Sequence, residues 1–243
     1  MRKYIIITGS KGQIGECLFE KLNSKENYLI CIDSNYNKNI INNSYIKYKL
    51  DISKEKDVIK FFKFLKKNKI NKVDSLINNA AIQFFKNIEK EDYNDFLEVL
   101  KVNVGGVFLM IKYALDFLKK SNKPNIINLG SIYGLVSGDP NIYTDTKRNT
   151  SDAYAASKAA IIQLSRYYAI HLSKYKIRVN SISPGGIYRN QGADFVKNYS
   201  KKTPSARMAK VEEIVNSIIF LLDQGSSYIN GHNLVVDGGF TSW

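Results

Sequence analysis

Short apolar runs alternate with longer stretches in which apolar residues return every three or four positions, and the alternation persists along the whole chain. The runs at Tyr4–Thr8, Tyr28–Asp33, Tyr45–Leu50, Ser75–Asn78, Asn125–Leu129, Arg178–Ser183 and Asn233–Val236 are rich in β-branched and aromatic residues, and they predict strands. Between them the helical period predicts helices beginning near Gly12, Lys54, Glu91, Ser151 and Val211. Strands joined by helical crossovers lie parallel, and a parallel sheet needs cover on both faces. The pattern therefore predicts an α/β fold: a doubly wound sheet of about seven parallel strands with helices on both faces. Such sheets bind ligands outside the carboxyl ends of their strands.

One segment breaks the rhythm. Residues 138–150 are polar and unpatterned, and a long polar loop inside a compact domain is usually functional or mobile. Its place just before Tyr154 fits a loop that covers a substrate, or a tolerated surface insertion.

The length of 243 residues, with no internal linker, suits a single domain over 1–243 that carries both its binding and its catalytic groups. No apolar run approaches the roughly 18 residues of a membrane helix. The charged start Met1-Arg2-Lys3 runs through a short apolar stretch straight into a glycine motif, which reads as the first strand of a cytoplasmic protein. Cys17 and Cys31 offer neither a disulfide framework nor metal-ligand spacing, and His171 and His232 stand far apart. Histidine-based catalysis and a structural metal site are both disfavoured.

A formal charge of +14 raises the question of nucleic acid. The lysines are dispersed, however, and Lys54, Lys56, Lys60, Lys63, Lys66 and Lys67 follow the outer face of one predicted helix. That distribution reads as a solvated surface and not as a nucleic-acid or membrane footprint.

The octet Thr8-Gly9-Ser10-Lys11-Gly12-Gln13-Ile14-Gly15 follows a predicted strand and opens a predicted helix. Glycines at 9 and 12 allow a tight turn and close approach of a pyrophosphate; Gly15 allows close helix packing; Gln13 and Ile14 begin the helix whose free N–H groups face the anion. Asp33 ends the second strand, near the roughly 20-residue offset of an acid that binds the adenosine ribose. A carboxylate there repels a 2′-phosphate, so NAD is expected in preference to NADP, with Lys11 as a partial offset.

Three further segments end strands at the same rim: Asn78-Asn79-Ala80-Ala81, Ser131 and Pro184-Gly185-Gly186. Tyr154 and Lys158 lie four positions apart in a helix-forming stretch, so the phenol and the ammonium share one face. A neighbouring cation favours the phenolate, which is how a tyrosine becomes a general acid or base near neutrality. By itself the spacing fits a solvated helix face better, since Tyr and Lys meet at this spacing on many such helices. A nucleotide bound at the rim shifts the balance to the catalytic reading.

Over nearly its whole length the chain resembles the short-chain dehydrogenase/reductase family. The resemblance rests on the Thr8-Gly9 turn, Asp51-Ile52, Asn78-Asn79-Ala80, Asn103, Ser131, Tyr154 with Lys158, the run from Asn180 to Gly185, and Val236-Asp237-Gly238-Gly239. It implies a Rossmann-type fold and an NAD(P)-dependent oxidoreductase. Tyr154 would exchange a proton with the reacting oxygen and Ser131 would hold that oxygen. Lys158 would bind the nicotinamide ribose and lower the tyrosine's pKa, and Asn103 would bind a water connecting Lys158 to solvent. Asp51 and Ile52 would flank the adenine, Asn79 and Ala80 the ribose, and Pro184 with Ile187 the nicotinamide. Homodimers or homotetramers, formed through the helices that hold Asn103 and Tyr154, are also implied; the apolar runs 104–113 and 159–168 serve such faces or pack on the sheet.

Two departures stand out. Gln13 follows Gly12, a spacing more like that of the family's longer, sugar-nucleotide-modifying members, and Ala81 replaces the glycine common after Asn-Asn-Ala. The gap from Ser131 to Tyr154 is longer than is usual in the family, and 138–150 accounts for the difference. That insertion, with Ser131-Ile132-Tyr133-Gly134 and Ser183-Pro184-Gly185-Gly186-Ile187 followed by Asn190-Gln191, resembles a branch associated with bacterial surface-polysaccharide and flagellin-glycan synthesis. The narrower resemblance implies a sugar or sugar-phosphate substrate, with Arg189 or Lys147 for an anion. The competing expectation is a catalytically silent NAD-binding sensor or scaffold, which has no need of Asn103, Ser131, Tyr154 and Lys158 together.

Overall fold

Ile5, Ile6 and Ile7 in the first strand are all buried, yet they serve different cores: Ile6 packs under one set of helices and Ile5 with Ile7 under another. Successive side chains of a strand point to opposite faces, so a fully apolar run has to be covered twice. The computed structural model, which describes residues 2–86, 88–144 and 150–243, shows how that cover is built.

The sheet consists of β1 (Lys3–Thr8), β2 (Asn27–Asp33), β3 (Ile40–Ile41), β4 (Tyr45–Lys49), β5 (Ser75–Asn78), β6 (Asn125–Leu129), β7 (Arg178–Pro184) and β8 (Asn233–Val236). Their order is β3-β4-β2-β1-β5-β6-β7-β8. Every pairing is parallel except that of β3 with β4, which is antiparallel. The seven predicted strands are present with ends displaced by one residue at most; β3, two exposed residues at the edge, is an eighth that is too short to leave a periodic signal.

On one face lie α2 (Glu55–Lys67), α4 (Gly106–Leu118) and α5 (Asp152–His171), and on the other α1 (Gln13–Leu22) and α7 (Val211–Leu222). The predicted helix near Glu91 begins at Tyr93 as α3 (Tyr93–Leu100), passes through a π-turn at Lys101–Gly105, and continues as α4. A further helix, α6 (Ala193–Lys202), has no counterpart in the prediction. The six lysines of the α2 region are all exposed.

The two apolar runs of uncertain duty divide between both roles. Val107, Met110, Ile111 and Ile161 are buried in the sheet-facing core, whereas Phe108 and Tyr167 are exposed. No helix among the described residues is long and apolar enough to cross a membrane.

The chain reverses direction across the sheet at β1, which has β2 on one side and β5 on the other. That switch point opens a crevice at the carboxyl ends of β1 and β5, into which the glycine turn leads. A third, smaller apolar cluster stands apart from the sheet. It holds Ile132, Ile142, Phe195, Tyr199, Met208 and Phe240, with Tyr133 and Tyr143 against it. Part of the polar insertion packs on this cluster: Asp139 caps a short helical turn at Pro140–Ile142, and Tyr143 packs on Phe195 at 5.2 Å between ring centres. Asn198 of α6 donates to Thr144 Oγ1 at 2.9 Å, and Lys202 pairs with Asp139. Residues 145–149, Lys147 among them, lie outside the described residues.

Candidate active site

Two cavities meet at the carboxyl rim of the sheet. One is a groove of about 720 Å³ running from Asp33 and Asp51 past the glycine turn to Asn79 and Ile187. The other is a pocket of about 330 Å³ around Ser131, Tyr154 and Lys158. They share Ile14, Asn79, Ala81, Gln83 and Ile187, so the two spaces are continuous.

The groove is assembled largely from main chain. Thr8 Oγ1 accepts from Asn79 N at 3.0 Å and Ala80 N at 3.1 Å, and Asn79 Nδ2 donates back to Gly9 O at 2.9 Å. These bonds stitch the end of β1 to the end of β5. Gly9 has φ +64°, and a Cβ there would stand 2.7 Å from Ala80 Cα. At Gly15 a Cβ would stand 2.4 Å from Gly9 O, inside the turn itself. Both positions exclude any side chain on steric grounds. Gly12 meets only Gly9 O, at 3.3 Å, and caps α1 with no side-chain bond. The first amides of α1 therefore face the groove, where an anion finds free donors.

Asp33 is buried and accepts from Lys11 N and Asn35 N, both at 2.9 Å. Asp51 and Ile52 form the far wall. Burial pushes the Asp51 carboxyl up, but bonds from Ser53 and Lys54 outweigh it and hold the group below its ordinary range. Ala80 lines the same groove. Gln13 also reaches across it: Nε2 donates to Tyr188 O at 2.8 Å, joining the glycine turn to the segment after β7.

Ser131 follows β6, is buried, and has extended backbone. Its side chain lies beside the Tyr154 phenol at the pocket, near enough to favour the phenolate. The catalytic helix α5 begins at Ser151, whose Oγ accepts from Tyr154 N at 3.3 Å, a cap that fixes the first turn under the tyrosine. Lys158, one turn on, has its ammonium 5.4 Å from the centre of the Tyr154 ring and donates to Leu129 O at 2.7 Å. Burial pushes the Tyr154 phenol up, and the neighbouring Ser131 side chain offsets only part of that. Burial likewise pushes Lys158 down, to about 8. In this state the phenol holds its proton at neutral pH and the lysine gives one of its three donors to a carbonyl, so the expected lowering of the tyrosine by its neighbour is not developed here.

Asn103 lines neither cavity. It sits in the π-turn, its Oδ1 accepting from Ile82 N at 2.8 Å and its Nδ2 donating to Ile82 O at 2.9 Å and to Ser157 Oγ at 3.0 Å. A π-turn adds a residue to a helix and redirects a side chain, a device found often at functional sites. Here it turns Asn103 inward to brace α5 against residues 79–82. Gly15 likewise packs beneath the groove and does not line it. The other expected residues are at the two cavities: Gly9, Gly12, Gln13, Asp33, Asp51, Ile52 and Ala80 at the groove, Ser131, Tyr154, Lys158 and Pro184 at the pocket, and Ile14, Asn79 and Ile187 at both.

Sequence patterning missed the outer wall of the pocket. Tyr133, Tyr143, Phe195, Tyr199 and Met208 line it, and the hydroxyls of Tyr133 and Tyr143 meet at 3.1 Å. Helix α6 was unanticipated because its apolar face covers only this small cluster. Arg189, expected near a substrate anion, lines the cofactor groove instead. No group of three or more His, Cys, Asp or Glu that could hold a metal occurs among the described residues, and both cysteines are free and buried.

The model of a family described as enoyl-(acyl carrier protein) reductase matches residues 34–241. A short chain dehydrogenase from Leptospira borgpetersenii, solved with bound NAD+, superposes with a TM-score of 0.91 at 40% identity, covering 99% of this chain and 93% of that one. Post-translational flagellin modification protein A of Campylobacter coli is 29% identical over 98% of both chains. The 3-oxoacyl-[acyl-carrier-protein] reductase of Bos taurus is 34% identical over 78% of this chain and 75% of its own. With the switch-point groove and the Ser131–Tyr154–Lys158 pocket, these matches show that the chain belongs to the short-chain dehydrogenase/reductase family, NAD(P)-binding oxidoreductases that act on CH–OH groups.

Proposed function

We propose that the protein interconverts a secondary alcohol and a ketone on a sugar or sugar derivative of surface-glycan synthesis, using NAD in preference to NADP. The observation that carries it is the meeting of Ser131, Tyr154 and the buried Lys158 in one pocket that is continuous with the dinucleotide groove. When bound, the nicotinamide supplies or accepts the hydride.

The chain's own groups handle the oxygen and its proton. Ser131 Oγ holds the reacting oxygen by a hydrogen bond, and Tyr154 Oη gives it a proton in reduction or takes one in oxidation. Lys158 Nζ would hold the cofactor ribose when the cofactor is bound, and its positive charge beside the phenol would favour the ionised form. Asn103 holds α5 in register with the 79–82 segment.

Full-length similarity to the flagellin modification protein supports the glycan substrate, and the Tyr133, Tyr143 and Tyr199 wall offers rings and hydroxyls suited to a polyol. Asp33, at the end of β2, supports NAD through repulsion of a 2′-phosphate. One domain carries both sites, and Phe108, Tyr167 and Ile170 exposed on α4 and α5 support a homodimer or homotetramer, which we place in the cytoplasm.

Scanning keto sugars, sugar alcohols and a 3-oxoacyl thioester at 340 nm with NADH and with NADPH tests the reading. Turnover of a sugar with a lower KM for NADH is expected. Tyr154→Phe should cut kcat by about 10²–10⁴ while NADH binding stays within about twofold. Turnover of the thioester alone would overturn the sugar assignment, and full activity of the phenylalanine variant would overturn the mechanism.

A further inference from the structure

Arg189 follows the residue whose carbonyl Gln13 clasps, so the clasp ties the arginine to the glycine turn. Its backbone N–H donates to Gln191 Oε1 at 2.7 Å, Asn190 turns with φ +53°, and Gln191 Nε2 returns to Ile187 O at 2.8 Å. This tight bend presents Arg189 at the groove wall, along with Gly9, Gly12 and Gln13.

Among the described charged residues lining that groove, Asp33, Asp51 and Glu98 are acidic and only Lys11 and Arg189 are basic. Lys11 Nζ is committed to Asn35 O at 3.0 Å, toward the Asp33 end. The Arg189 guanidinium makes no hydrogen bond or ion pair among the described residues and keeps its donors. A dinucleotide lying from Asp33 to Tyr154 would carry its two phosphates along the groove that Gly9, Gly12, Gln13 and Arg189 line together. Guanidinium groups bind phosphate oxygens through paired, charge-assisted hydrogen bonds.

We propose that Arg189 is a binding residue for the diphosphate of the cofactor, closing the groove opposite the helix N-terminus, and that Gln13 positions it through Tyr188. Arg189 is therefore assigned to the cofactor and not to a substrate phosphate.

Calorimetric titration of the full chain with ADP and with adenosine tests this without any turnover, so a wrong substrate assignment leaves it untouched. For Arg189→Ala, ADP binding should weaken roughly tenfold, the effect of one charge-assisted hydrogen bond at an exposed site. Adenosine binding should stay unchanged, Arg189→Lys should recover part of the loss, and the loss should shrink as salt rises. Gln13→Ala should weaken ADP by a few fold in the wild-type background and not at all in the Arg189→Ala background. Unaltered ADP binding in Arg189→Ala, or an equal loss for adenosine, would overturn the arginine's role; additive effects of the two changes would overturn the role given to Gln13.

Discussion

The dinucleotide groove and the substrate pocket adjoin, yet they are built from different material. The groove is main chain from the ends of β1 and β5, locked by Thr8 and Asn79 and by two glycines whose missing side chains leave no space for an atom. The pocket wall is side chain, collected from four separate stretches into a cluster detached from both sheet-facing cores. A groove of the first kind accepts few substitutions and binds one class of ligand. A wall of the second kind can be repacked without disturbing the sheet, which is how one fold serves many substrates.

The sharpest way to break that contrast is at Gly15. A methyl there meets Gly9 O at 2.4 Å and Ser10 Cα at 2.6 Å, so Gly15→Ala has to shift backbone. Loss of about 100-fold or more in NADH affinity by fluorescence titration is expected, with destabilisation of about 3 kcal/mol by thermal melting. Gly12→Ala, whose one close neighbour is at 3.3 Å, should melt within about 1 kcal/mol of the wild type. Normal cofactor affinity in Gly15→Ala would show that the groove is not sterically fixed.

Lys158 stands at the border of the two regions. Its folded pKa, about 8, lies below its ordinary 10.5, so the folded state disfavours its charge. Stability from this group is fully present above pH 10.5 and is lost as pH falls toward 8. Lys158→Met should therefore be more stable than the wild type by about 1–3 kcal/mol at pH 7 while losing activity. The advantage should fade between pH 8 and 10.5, as denaturant melts across that range will show. A variant less stable at pH 7 would mean that the bond to Leu129 O outweighs the buried charge.

The smallest effect belongs to the wall. Tyr143→Phe removes the hydroxyl that meets Tyr133 and accepts from Thr150 Oγ1 at 3.0 Å. Substrate KM should change by roughly threefold, with melting altered by less than about 1 kcal/mol and NADH binding unmoved. An equal change in NADH affinity would show that groove and wall respond as one.

The same difference decided what could be read from sequence. Gly9, Gly15, Asp33 and the Tyr154–Lys158 spacing are demanded by local geometry, and local geometry leaves its mark on neighbouring letters. The seven principal strands were legible because each carries an apolar run. Strand β3 has two residues, and α6 buries only Phe195 and Tyr199, so neither gave a period to read. The meeting of Tyr133 with Tyr143, and the reach of Gln13 to Tyr188, depend on where distant segments pack. The brace that the Asn103 side chain makes to backbone at Ile82 is of the same kind, because it depends on the π-turn that directs it inward.

Phe240 stacks on Tyr199 with ring centres 5.0 Å apart, and that contact has a meaning in the order of synthesis. A chain leaves the ribosome from its N-terminus, so the β1, β2 and β5 frame of the groove is complete long before residue 240 emerges. The cluster behind Tyr133 and Tyr143 must wait for it. A nascent chain of this protein is then able to form its nucleotide crevice while its substrate wall is still open, and the selective half of the active site is the last to be finished.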